Sequence, residues 1–352
     1  MCDSIRTLPN YMTSSAMIDG HGDDIYHYPH IRMNFSSNVY NHFEHAGLFN
    51  HLTSRLETIK NYPEPTPLCA EKAIADAIGL QLEQVLLTNG ATEGIYLVSQ
   101  TFRRCSSTIL IPTFSEYADA CRLHEHTTTS VLSLTNIPKD AQIVWLCNPN
   151  NPTGMAHDKE QLLRCIIQHP ETLFVVDASY ASFTREPLMT ATEAADLPNV
   201  IMLHSMTKEF ATPGLRLGYM TANERLLHIV RRQRMPWAVG TLAQEACLYL
   251  IAHQDDYRLP LNTLLQERKR MSKALEATGI VEVYPSHTHI LLCRLHEGRA
   301  ADLKELLADR YRMLIRDASN FEGLDDRHFR IAVQTADEND QLLAAITNVL
   351  ST

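Results

Sequence analysis

Residues 200–220 read VIMLHSMTKEFATPGLRLGYM. An apolar run ends there in a polar rim. Ser205 and Thr207 stand three residues and one residue before Lys208, and Arg216 follows eight residues after it. A lysine amine attacks a carbonyl only when neutral, so it must be held and partly desolvated. Hydroxyls and a fixed guanidinium beside it suit a phosphorylated ligand. A lone lysine near serines is ordinarily a solvated surface residue, so the weight falls on the rest of the chain.

Working outward, short apolar runs alternate with helical patterns from about residue 70 to 225. AEKAIADAIGL (70–80), EGIYLVSQTF (93–102) and KEQLLRCIIQH (159–169) have helical spacing, while VLLT (85–88), TILI (108–111), IVWLC (143–147), LFVV (173–176) and VIMLH (200–204) are continuous aliphatic strands. Such strands between amphipathic helices predict a mostly parallel sheet sandwiched by helices. From 241 the pattern changes to two long helices, TLAQEACLYLIAHQ and LNTLLQERKRMSKALEATG. VEVY, ILLCRL, a helix over 301–311, MLIRD, FRIAV and a closing helix over 338–350 follow. The expected organisation is an α/β chain with an N-terminal arm over 1–35 packing on the small domain or a partner, a large domain over 36–240 and a small α+β domain over 241–352.

Ligands of open α/β sheets bind outside the carboxyl ends of the strands. After the strand runs come Asn89-Gly90-Ala91-Thr92-Glu93-Gly94, Pro112-Thr113-Phe114, NPNNPTG over 148–154, Asp177-Ala178-Ser179-Tyr180, and Ser205 to Lys208. NGATEG opens a helix, where backbone amides and Gly90 admit an anion; the alternative is an ordinary cap by Asn89 or Thr92. Asp177 ends an apolar strand and wants a cationic partner, or else caps the next turn. Arg330 lies inside the apolar FRIAV, which suits a bidentate clamp on a carboxylate or an internal salt bridge. Arg316 in MLIRD is a second candidate, with Asp317 or another acid as its alternative partner.

The order NGATEG, PTFSEY, NPNNPTG, DASY, SMTK, GLRLGY, FRIAV resembles the class I/II aminotransferase superfamily across nearly the whole chain. That resemblance implies the fold-type-I architecture and pyridoxal phosphate as cofactor. It implies Lys208 as the lysine joined to the cofactor, Asp177 as partner of the ring nitrogen, and Asn151 and Tyr180 as ligands of the ring's phenolic oxygen. Phe114 would cover the ring. Gly90, Ala91, Thr92, Ser205 and Arg216 would cradle the phosphate, and Arg330 would take the substrate carboxylate. Tyr62 in NYPEP would reach the neighbouring subunit's cofactor, which implies a homodimer. SMTKEFATPGLRLGY, MPWAVGTLAQEA and LIRDASNFEGL resemble the threonine-phosphate decarboxylases of cobalamin biosynthesis. Histidinol-phosphate aminotransferases are the competing group. The expected substrate is therefore a phosphorylated amino acid or amine, with a second anion pocket near His21 and Asn38. NVYN lacks the family's Pro and Gly, Ala178 stands where glutamate is usual, Gly240 replaces an asparagine, and His289-Ile290 replaces Asn-Phe.

Composition narrows the classes. A net charge of −10 without a long basic run argues against nucleic acid and anionic membranes as partners. No apolar run approaches the ~20 residues of a membrane span, and the first residues carry no signal-peptide core. Eight scattered cysteines without a CxxC pair suit a reduced, cytoplasmic protein. His124 with His126, and His287 with His289, are spaced two apart, yet no carboxylate or cysteine accompanies them at ligand spacing, so no metal is expected. A non-catalytic, cofactor-binding regulatory domain is the alternative class; Lys208 and Asp177 together favour chemistry.

Overall fold

A computed structural model describes residues 24–350. A two-residue strand β1 (Met33–Asn34) and helices α1 (Ala46–Ser54) and α2 (Leu68–Ile78) lead to β2 (Val85–Asn89) and α3 (Gly90–Thr101). Next come β3 (Ser106–Leu110), α4 (Glu116–Leu123), β4 (Thr127–Val131), β5 (Ile143–Cys147), α5 (Lys159–Gln168), β6 (Leu173–Asp177) and α6 (Ala191–Asp196). The large unit continues through β7 (Val200–His204), α7 (Met206–Glu209), β8 (Leu217–Ala222), α8 (Glu224–Arg231) and α9 (Thr241–Ala252). The chain ends with α10 (Leu261–Ala277), β9 (Val281–Val283), β10 (Ile290–Leu295), α11 (Ala300–Leu306), β11 (Met313–Leu314), β12 (Arg316–Asp317), β13 (His328–Ala332) and α12 (Ala336–Leu350).

The main sheet has seven strands in the order β2-β8-β7-β6-β5-β3-β4. β8 runs antiparallel to β2 and β7, and the remaining pairs are parallel. Strand alternation sorts the side chains to two cores. Ile143, Trp145 and Val175 join Leu86, Val98 and Ile201 on one face; Val144, Leu146 and Phe174 join Leu162, Ile166 and Met202 on the other. Burial on both faces explains why these strands carry unbroken apolar runs.

The smaller sheet, β12-β13-β10-β9, is antiparallel. Its core gathers Met271 and Leu275 of α10, Leu291, Phe329 and Ile331 of the strands, and Leu342 and Ile346 of α12. Phe35 sits in this core, β1 pairs with β11, and the Phe35 carbonyl accepts from Ala332 N at 2.8 Å. Helix α9 packs the other way: Ala246, Cys247 and Leu250 join Leu48, Ile74 and Met206 against Val85, Leu87 and Leu217 of the main sheet.

One close approach joins the two units. Gly154, at φ +70°, closes NPNNPTG; a Cβ there would lie 2.2 Å from Ser286 Oγ and 2.8 Å from Thr288 Oγ1. Only a residue without a side chain lets this loop rest on the small unit.

Candidate active site

The carboxyl ends of the main strands open into a cavity of about 450 Å³. Its walls include Ala91, Thr92, Phe114, Asn151, Asp177, Tyr180, Ser205, Lys208 and Arg216 from the sheet side, Arg316 and Arg330 from the small sheet, and Asn38 from the segment after β1. The structure thus gathers most of the residues singled out in the sequence. Gly90 lies directly behind Arg216: a Cβ on it would stand 2.7 Å from Arg216 Nη2. Tyr62 does not line this cavity. It is 86 % exposed and borders a separate recess with Ile59 and Trp237. His21 lies outside the described residues.

Helix α3 begins at the rim without a side-chain cap from Asn89; Glu93 takes the Asn89 amide instead, at 2.5 Å. The ordinary capped-helix alternative is therefore not what forms. The start of α3, Ser205, Thr207 and the Arg216 guanidinium make one donor-rich corner. Arg216 holds φ 55° and donates to Pro213 O at 3.2 Å.

Asp177 is buried at the end of β6. Its Oδ1 accepts from Ser179 N at 2.9 Å and Ser179 Oγ at 2.5 Å, and its Oδ2 accepts from Tyr117 Oη at 2.7 Å. It caps the following turn and lines the cavity at once. Burial raises its proton affinity above the usual carboxylate range, against the pull of Ser179, Tyr117 and the Lys208 charge.

Lys208 Nζ donates to Ser37 O at 2.8 Å. Arg330 donates to Asn151 Oδ1 and to Ser36 O, the latter at 2.5 Å. Asn38 Nδ2 donates to Tyr180 Oη at 3.0 Å, and burial pushes the Tyr180 phenol well above its ordinary value. Arg316 donates to Asn320 at 3.0 Å and lies over Phe321, while Asp317 accepts from Ser319 N. Among the described residues, Ser36 Oγ, Ser37 Oγ and Asn38 Oδ1 are buried without a hydrogen-bond partner. Unpaired oxygens in a cavity wall suit a polar ligand.

Sequence reasoning gave no role to Tyr117 or to the serines at 36, 37 and 179. Tyr117 and Ser179 lay inside PTFSEY and DASY, and Tyr117, in the first turn of α4, sits three residues after Phe114. Three of the paired histidines are held by other groups. His126 bonds Ser107 and the Ser99 carbonyl, His287 takes the Ala156 amide, and His289 stacks on Phe183. Among the described residues, no group of three or more His, Cys, Asp or Glu could hold a metal, and no helix is long and apolar enough to cross a membrane.

Residues 30–346 match the family described as aminotransferase class I and II, and the chain belongs to it. Threonine-phosphate decarboxylase of Salmonella typhimurium is 30% identical over 318 residues, 85% of this chain and 86% of that protein. A histidinol-phosphate aminotransferase of a Thermoanaerobacter species is 31% identical over 303 residues, 82% of this chain and 84% of its own. The crystal structure of L-threonine-O-3-phosphate decarboxylase from Porphyromonas gingivalis superposes with a TM-score of 0.89 at 36% identity, covering 91% of this chain and all of that one. The chain is an enzyme of this family, with relatives that are decarboxylases and aminotransferases.

Proposed function

We propose that the enzyme binds pyridoxal phosphate and decarboxylates a phosphorylated amino acid, O-phosphothreonine or a near relative. One observation carries this: a single cavity bears Lys208 and Asp177 on the sheet side and Arg316 and Arg330 on the opposite wall. With Arg216, its cations outnumber its two carboxylates, Asp177 and Glu116, as ligands with several anionic groups require.

The residues fit the cofactor. Arg216, Ser205 and the first residues of α3 (Gly90, Ala91, Thr92) would hold its phosphate. Asp177 would face its ring nitrogen, Asn151 and Tyr180 its phenolic oxygen, and Phe114 its ring face. When bound, pyridoxal phosphate supplies an electron sink for a bond broken at the substrate's α-carbon. Arg330 would grip the substrate carboxylate and Arg316, with the Asn38 wall, its second anionic end. These contacts would fix which bond at the α-carbon stands ready to break. Lys208 would hold or deliver the proton there. The similarity to threonine-phosphate decarboxylases supports loss of the carboxylate; the similarity to histidinol-phosphate aminotransferases supports transamination as the second reading.

Incubation with O-phosphothreonine alone should release carbon dioxide. Histidinol phosphate with oxoglutarate should give little glutamate; rapid glutamate formation without carbon dioxide release in the first assay would overturn the decarboxylase assignment. A cytoplasmic setting is supported by the buried free thiols of Cys121, Cys147, Cys247 and Cys293.

A homodimer with shared sites is supported by the exposed Ile59, Tyr62, Met235 and Trp237. The recess that Ile59, Tyr62 and Trp237 border includes Gly214 and Leu215, next to the Pro213 and Arg216 of the cavity. Sedimentation should show a dimer; a fully active monomer would exclude it.

A further inference from the structure

We propose that Tyr117 and Ser179 are positioning residues that hold Asp177 as a fixed carboxylate and so decide where the proton on the cofactor's ring nitrogen sits. This rests on the pyridoxal phosphate reading above. Two features go beyond what the fold needs. The turn after β6 is closed by the Ser179 amide on Asp177 Oδ1, yet the Ser179 hydroxyl also reaches the same oxygen at 2.5 Å. Tyr117 is 1 % exposed, with its ring stacked on Trp145 at 5.8 Å and edge-on to Phe114 at 5.9 Å. A phenylalanine would fill that slot; the hydroxyl adds the bond to Asp177 Oδ2 at 2.7 Å.

Both carboxylate oxygens are therefore engaged by donors, and a hydroxyl donating to a carboxylate favours its charged form. The other groups acting on Asp177 are Lys208 of α7, which draws it down, and Cys147 and Tyr180, each of which feels its charge. Removing the hydroxyls leaves a buried carboxylate that binds a proton more tightly. A proton shared with a ring nitrogen then moves toward the carboxyl, and the ring loses its positive charge. Tyr117 also touches Phe114, so one side chain sets both the wall offered to the ring's face and the acid offered to its edge.

The test uses apoenzyme reconstituted with pyridoxal phosphate isotope-labelled at the ring nitrogen, read by NMR, with Tyr117→Phe, Ser179→Ala and the double variant. The wild type should show a protonated ring nitrogen. The double variant should move toward the unprotonated shift and bind the cofactor about tenfold more weakly, and Ser179→Thr should restore the wild-type signal. An unchanged shift in a double variant with native circular dichroism would overturn the proposal. Should Tyr117→Phe fail to fold, Ser179→Ala decides, since it keeps the backbone bond. Asp177→Ala separates the two layers. If it leaves the shift unchanged, the assignment of Asp177 to the ring nitrogen fails; if it moves the shift while the hydroxyl variants do not, only the present inference fails.

Discussion

On the sheet side of the cavity, Asp177 ends β6, and Ser205 and Lys208 directly follow β7, strands buried almost throughout. Across from them, Ser36, Ser37 and Asn38 belong to a segment with no regular structure beyond β1. The first wall is satisfied from within: Asp177 receives donors on both oxygens. The second spends its backbone carbonyls on Lys208 and Arg330 and leaves side-chain oxygens unpaired. A satisfied, strand-anchored wall suits a permanent occupant. An unsatisfied wall built from loops and a small sheet suits a ligand that comes and goes, and it is where substrate identity is decided.

The sharpest break in that contrast is Lys208→Ala. Turnover should fall at least ~10³-fold, with loss of the visible absorbance of lysine-linked pyridoxal, while the cofactor stays bound through its phosphate corner. Absorbance spectra and a carbon dioxide assay check both halves. On the opposite wall, Arg330→Lys should raise KM for O-phosphothreonine by ~10- to 100-fold and leave the affinity of the decarboxylated amine unchanged. Equal losses for both ligands would place Arg330 outside carboxylate recognition.

Behind the small-sheet wall, His289 is fully buried, and burial, with Arg330 and Lys208 nearby, lowers its imidazole to about 3. The unfolded chain binds that proton near the ordinary value, so stability is fully present above ~6.5 and is lost as pH falls below it. His289→Asn should remove a slope of about 1.4 kcal/mol per pH unit between those values, seen in urea midpoints. The smallest effect concerns the seam between the walls. Gly154→Ala should cost about 1–3 kcal/mol in urea unfolding, because Ser286 and Thr288 already occupy the space.

The sheet-side wall was legible because strand ends are marked by apolar runs that stop at polar residues. VLLT, IVWLC, LFVV and VIMLH all form strands, and the groups after them face the cavity. The elements not foreseen had other signatures. β4 is TTTSV, an exposed edge strand whose one apolar residue is Val131. β8 was hidden inside GLRLGYM, where a glycine and an arginine mask a fully buried strand. The α9 helix, expected from TLAQEACLYLIAHQ, packs on α1 and α2 through Ala246, Cys247 and Leu250. Tyr117 and Ser179 escaped notice for another reason: a hydroxyl aimed at a buried acid leaves no periodic trace.

The direction of β8 has a consequence for how this family of sites can vary. Strand β7 leaves the sheet at the cavity edge and β8 re-enters at the same edge, so residues 205–216 never cross to the far side. A parallel β8 would start from the opposite edge of the sheet, carrying Arg216 away from Lys208. The reversal makes the amine and the guanidinium parts of a single cassette whose length is its own. Insertions can accumulate in the other connections of the sheet without altering the spacing between those two charges.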